Sequence, residues 1–90
     1  MSTISVSVTA TPTNVISTGS LVTGSSYRCR YQAHGVSALM YLVEAANAPE
    51  ASDGGTPIQH LEDVTLSPVD GKGLWAWTGG TSGTLWINPI

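Results

Sequence analysis

The chain has 90 residues, of which 10% are charged and 41% hydrophobic, with a formal net charge of −3. Arg28, Arg30 and Lys72 are the only cations apart from two histidines, too few for the clustered basic patch of a nucleic-acid surface. One small domain fits this length, residues 1–90, and serine, threonine and glycine supply most of its polarity, so its surface is easy to desolvate.

In chain order, Ile4, Val6, Val8 and Ala10 alternate with Ser5, Ser7 and Thr9, a strand with one buried and one wet face. Pro12 and Asn14 end it. Val15-Ile16-Ser17 reads as a short second strand closed by Gly19, and Leu21 to Thr23 as another short apolar piece. Tyr27 to Gln32 alternates cleanly: Tyr27, Cys29 and Tyr31 are expected in the core, with Arg28, Arg30 and Gln32 facing solvent or a partner. His34-Gly35 marks a turn.

Ala38 to Glu44 is the most continuously apolar run and reads as a central strand covered on both faces. A helix through Ala48 is the competing assignment; Tyr41 and Val43 favour the strand, and Pro49 cuts the run short. Residues 45–57 are irregular, with a turn signal at Asp53-Gly54-Gly55. Ile58 to Leu61 and Val64 to Leu66 are short strands, and Asp70-Gly71 is a tight turn.

Gly73 to Ile87 holds all three tryptophans and reads as two strands joined by a glycine-rich turn, a hairpin. Trp75 and Trp77 share one face of the first strand; Leu74, Ala76 and Thr78 share the other. Thr84 and Trp86 share a face of the second strand, opposite Leu85 and Ile87. Both faces thus carry apolar mass, and a chain this short lacks the means to cover both. Homo-oligomerisation follows as an expectation.

Seven to eight short strands, turn signals between them and no convincing helix predict an all-β fold: a small antiparallel β-sandwich or jelly-roll-like domain. No stretch approaches the ~20 apolar residues of a membrane-spanning helix. The N-terminus has neither the basic region nor the apolar run of a signal peptide, and the single cysteine allows no intrachain disulfide. A chain folded in a reducing cytosol is the expectation.

Catalytic parts are thin. Cys29 reads as a buried small hydrophobe, since strand alternation turns its arginine neighbours to the opposite face. His34 reads as an exposed turn residue. His60, Glu62 and Asp63 lack the further histidine or cysteine of a zinc site, and Glu50 with Asp53 make a weak calcium candidate. Gly79-Gly80-Thr81-Ser82-Gly83 lacks the lysine and helix start of a phosphate cradle. No enzyme, metal or cofactor is expected. The residues singled out are Trp75, Trp77, Trp86 and Tyr41. They serve as core in a protein without phenylalanine, as a subunit or partner interface, or as a stacking platform for a sugar.

The segments Tyr41-Leu42-Val43-Glu44-Ala45-Ala46-Asn47-Ala48-Pro49, Asp53-Gly54-Gly55, Gly71-Lys72-Gly73-Leu74-Trp75-Ala76-Trp77 and Gly83-Thr84-Leu85-Trp86-Ile87 resemble small accessory virion proteins of tailed bacteriophages. The resemblance covers residues 38–87 and leaves the first 37 unmatched. It implies a non-enzymatic β-rich capsid-decoration or head-fibre component, often a trimer. Such a component is made in the bacterial host cytoplasm and attached in the virion to proteins such as the major capsid protein. The alternative is a carbohydrate- or receptor-binding module of a tail or fibre tip that uses exposed tryptophans.

Overall fold

The computed structural model describes residues 3–34, 39–50, 55–80 and 82–90. Eight strands form two four-stranded sheets. The strands are β1 (Ile4–Val8), β2 (Thr13–Asn14), β3 (Tyr27–Ala33), β4 (Met40–Ala45), β5 (Thr56–Ile58), β6 (Asp63–Leu66), β7 (Gly73–Thr78) and β8 (Gly83–Pro89). The first sheet runs β1-β8-β3-β6 and the second β2-β7-β4-β5, with every pairing antiparallel.

This order has a simple origin. β1 lies beside β8, β2 beside β7, β3 beside β6 and β4 beside β5, so the chain is one long antiparallel ribbon folded back at the β4–β5 connection. The ribbon then rolls up, which adds the β3·β8 and β4·β7 pairings. That is the jelly-roll topology, a way of closing an antiparallel structure into two packed sheets.

Alternation then decides the core. Val6 and Val8, Tyr27, Cys29 and Tyr31, Leu66, and Leu85 and Ile87 point inward from the first sheet. Met40, Leu42, Ile58, Leu74 and Ala76 meet them from the second. The cross-strand registers agree: Val6 and Tyr31 both lie opposite Leu85, and Cys29 lies opposite Ile87. The inward set read from the alternation of Tyr27 to Gln32 is the one observed.

Two expectations are corrected here. First, β7 and β8 are not a hairpin. β7 is flanked by β2 and β4 and β8 by β1 and β3, so residues 79–82 carry the chain from one sheet to the other. Leu74 and Ala76 face Leu85 and Ile87 across the core instead of lying beside them. A glycine-rich connection between two alternating strands looks the same locally in either arrangement. The partners on each side, all distant in sequence, decide between them.

Second, Val15-Ile16-Ser17 belongs to a one-turn helix, α1 (Val15–Gly19), preceded by the two-residue β2. Its β-branched composition favours a strand. The caps win: Asn14 Oδ1 accepts the Ile16 amide at 3.1 Å, and Ser20 closes the turn in the left-handed region at φ 55° while the Leu21 amide bonds the Ile16 carbonyl at 2.9 Å. Val15 is fully buried, and α1 packs against β1 of one sheet and β7 of the other. The short apolar piece Leu21 to Thr23 lies in the loop that follows, where the Tyr27 hydroxyl accepts the Val22 amide at 2.9 Å and ties it to β3.

The strand expected at Ile58 to Leu61 lies earlier, at Thr56–Ile58, and is followed by a turn in which the Glu62 amide bonds the Gln59 carbonyl. The Asp70-Gly71 turn is present, with Gly71 at φ +80°. Gly35, Ala38, Asp53, Gly54 and Thr81, and with them parts of three expected turns and of the β4 run, lie outside the described residues.

Two glycines show how aromatic rings are seated. A Cβ on Gly83 would come within 2.5 Å of Tyr31 Cε1, and one on Gly73 within 2.8 Å of Trp75 Nε1. β8 therefore begins under a ring from the neighbouring β3, and β7 under the ring of its own Trp75.

Candidate functional site

The outward faces of the sandwich hold the four singled-out aromatics, but not together. On the second sheet Tyr41 lies opposite Trp77 and Val43 opposite Trp75, so these four side chains share the outer face of β4 and β7. The Tyr41 and Trp77 rings stack with centroids 5.9 Å apart and an interplanar angle of 27°. Trp77 is only 1% exposed and lies outside the inter-sheet cluster. It is buried within the chain itself and offers no open ring, which corrects the expectation of a stacking platform there. Trp75 is half-buried, and its indole Nε1 donates to the Ala45 carbonyl at 3.0 Å, laying the ring over Gly73. Tyr41 and Val43 are also half-buried, and Leu39, just before β4, is 38% exposed. The result is an apolar outer layer that the single chain only partly covers.

Trp86 stands on the other side of the molecule. It sits on β8, an inner strand, with Ser5 of β1 opposite on one side and Arg30 of β3 on the other. At 40% exposure it is the most open of the three tryptophans. Its indole Nε1 donates to Gln32 Oε1 at 2.9 Å, which fixes the ring against the β3 side, while the small Ser5 and Ser7 leave the β1 side uncovered. Arg30 makes a two-pronged ion pair with Asp63 of β6, Nε to Oδ1 at 2.8 Å and Nη2 to Oδ2 at 3.1 Å. That hydrogen bond, helped by the attraction of Arg30 and Arg28, holds the Asp63 carboxyl below the usual carboxylate range against the opposing effect of desolvation.

Arg28, exposed and opposite Asn88, makes no ion pair or hydrogen bond among the described residues. Asn88 Oδ1 accepts from the Thr3 hydroxyl at 2.7 Å, a bond that does not use its amide NH₂. Arg28, Arg30, Asp63, Trp86 and Asn88 line a shallow depression of about 270 Å³.

Of this polar frame only Asn88, two residues on, lies near Trp86 in the linear sequence. The charged residues and Gln32 come from 23–58 positions away, brought together by the β3·β8 and β3·β6 registers. The available signal was the outward set Arg28, Arg30, Gln32, alternating with the inward tyrosines.

The remaining candidates are occupied locally. Cys29 is 1% exposed, and burial pushes its thiol up to about 12, so the nucleophilic thiolate is strongly disfavoured. His60 Nδ1 accepts the Ala33 amide at 3.0 Å, Glu62 accepts the Gln59 amide at 2.9 Å, and Asp63 holds Arg30. His34 Nε2 lies 2.9 Å from the Thr84 hydroxyl. Among the described residues no three His, Cys, Asp or Glu side chains gather as a metal site requires. No family model, curated protein or solved structure matches this chain.

Proposed function

We propose that this protein is a non-enzymatic structural component of a tailed-bacteriophage virion, a capsid-decoration or head-fibre subunit that works by protein–protein adhesion. The observation that carries the reading is the aromatic and aliphatic layer of Tyr41, Val43, Trp75 and Leu39, left partly open on the outside of an already complete two-sheet core. Large apolar side chains on a wet sheet face are stabilised by being covered. The resemblance of residues 38–87 to accessory virion proteins supplies the setting. It also supplies the trimer, the attachment to proteins such as the major capsid protein, and assembly in the bacterial host cytoplasm. The jelly roll, a fold found in viral capsid proteins and lectins alike, is compatible with this reading without selecting it.

The test has two parts. Sedimentation equilibrium is expected to show a trimer that Val43→Glu dissociates with unchanged far-UV circular dichroism; a stable monomer at tens of micromolar counts against adhesion between copies. Electron microscopy of purified virions is expected to place the tagged protein on head or fibre, and its absence from virions overturns the setting. A second reading, a carbohydrate- or receptor-binding module, is favoured by one observation, the exposure of Trp86 inside a polar frame.

A further inference from the structure

We infer that the outer face of the β1-β8-β3-β6 sheet is a binding site for a carboxylate-bearing saccharide, with Trp86 as the ring platform and Arg28 as the anchor for the carboxylate. This deepens the second reading and is independent of adhesion through the opposite sheet.

Three features of the site point to this ligand chemistry. The ring of Trp86 is both exposed and fixed: the bond to Gln32 Oε1 immobilises the indole, so stacking costs little ordering. The axial C–H groups of a pyranose form an apolar patch that suits the electron-rich face of an indole, while its hydroxyls remain free for hydrogen bonds. The site supplies those bonds at the right places. Asn88 offers its amide NH₂, because Thr3 engages only the Oδ1 side, and the Asp63 carboxylate keeps acceptor capacity beyond its two bonds from Arg30.

The charge pattern selects the class. Arg30 is neutralised by Asp63, and Lys72 lies 3.9 Å from Glu44 on the second sheet. Arg28 alone of the three Lys and Arg side chains makes no ion pair, though it attracts Asp63 from beyond ion-pair distance, and it lines the same depression as Trp86 and Asn88. Its position opposite Asn88 sets it one diagonal step from Trp86, within the ~7–8 Å over which side chains on one sheet face interact. A sugar ring on Trp86 that carries a carboxylate can therefore meet an unpaired guanidinium, which binds carboxylates through two parallel N–H···O bonds. A neutral sugar leaves that cation unused.

The experiment titrates the intact protein with trigalacturonate and sialyllactose, using methyl-esterified trigalacturonate and lactose as uncharged counterparts. The Trp86 indole N–H resonance, assigned with Trp86→Phe, reports on the site, and calorimetry gives the affinity. At least one acidic probe is expected to shift that resonance and to bind about tenfold or more tighter than its neutral counterpart, the value of one charge-assisted contact. Trp86→Ala is expected to abolish binding, and Arg28→Gln to remove the preference for acid; both keep the native far-UV spectrum because both side chains lie on an outer face. No shift with either acidic probe, equal affinity for the neutral sugars, or undiminished binding by Arg28→Gln overturns the inference. Dissociation of the oligomer by Val43→Glu leaves it untouched, so the two readings fail separately.

Discussion

The two outer faces of this sandwich carry the same kind of residue to different ends. On β7, Trp77 is 1% exposed and stacked on Tyr41, and Trp75 lies half-buried over Gly73. On β8, Trp86 stands open among Arg28, Arg30, Gln32 and Asn88. The residue type does not set these roles. The neighbours on the adjoining strands do: Tyr41 and Val43 on β4 make one face apolar, while the arginines of β3 and serines of β1 make the other polar. A tryptophan on a strand is read correctly only with its cross-strand partners in hand.

The sharpest way to break this contrast is a pair of truncations. Trp77→Ala removes a fully enclosed ring and is expected to cost about 3–5 kcal/mol in denaturant melting, as for other buried aromatics. Trp86→Ala is expected to change stability by about 0.5 kcal/mol or less. If the two costs come out equal or reversed, the assignment of one enclosed and one open face fails. Next in size is Gly83→Ala, expected to destabilise by about 1–3 kcal/mol through overpacking, because the new methyl meets both Tyr31 and the Gln32 carbonyl, 2.8 Å away. A neutral Gly83→Ala would mean that the Tyr31 ring is not seated on that strand.

Cys29→Ala is expected to cost about 1 kcal/mol, and the native thiol to react with disulfide reagents only as fast as the protein opens. Its raised pKa gives a sign as well. The folded state keeps the proton that the unfolded chain releases above its ordinary thiol value, so this contribution to stability is lost as pH rises beyond that value. Fast modification of the native protein would place Cys29 outside the core.

The smallest effect belongs to the polar face. Asp63 has a lowered pKa, so its contribution is present above the unfolded carboxylate value and fades as pH falls through the lower folded one. Both partners of the pair are about half exposed, so the shift in denaturant midpoint between wild type and Asp63→Asn is expected to be slight and to vanish at acid pH. A large shift would show that the frame around Trp86 is part of what holds the sheet together.

Local pattern carried much of the fold. The period-two alternation of β1 and β3 identified the inward residues, and Tyr41 with Val43 distinguished β4 from a helix. What local pattern could not carry was pairing. The step from β7 to β8 changes sheets, a fact encoded in registers with β1, β2, β3 and β4 and in no residue between Thr78 and Gly83. Helix α1 escaped because its stability lies in two caps, Asn14 and Ser20, and not in Val15 to Gly19 themselves. The site escaped for the same reason as the pairing: Trp86, Arg28 and Asp63 meet only once three strands are aligned.

The ribbon arrangement has a consequence for how the protein comes into being on the ribosome. β8 lies between β1 and β3, so until it is synthesised β1 has no sheet partner and β3 holds only β6. During translation Val6 and Val8 must wait in the open for Leu85 and Gly83. Closing so long a loop carries an entropic cost before any contact offsets it, which makes the first sheet a late, whole-chain event. The β4–β5 connection is the shortest-range of the ribbon pairings and the natural place for the roll to begin. For a nascent chain with so little charge, the interval before β8 arrives is when its exposed strands are most open to pairing with a neighbour instead.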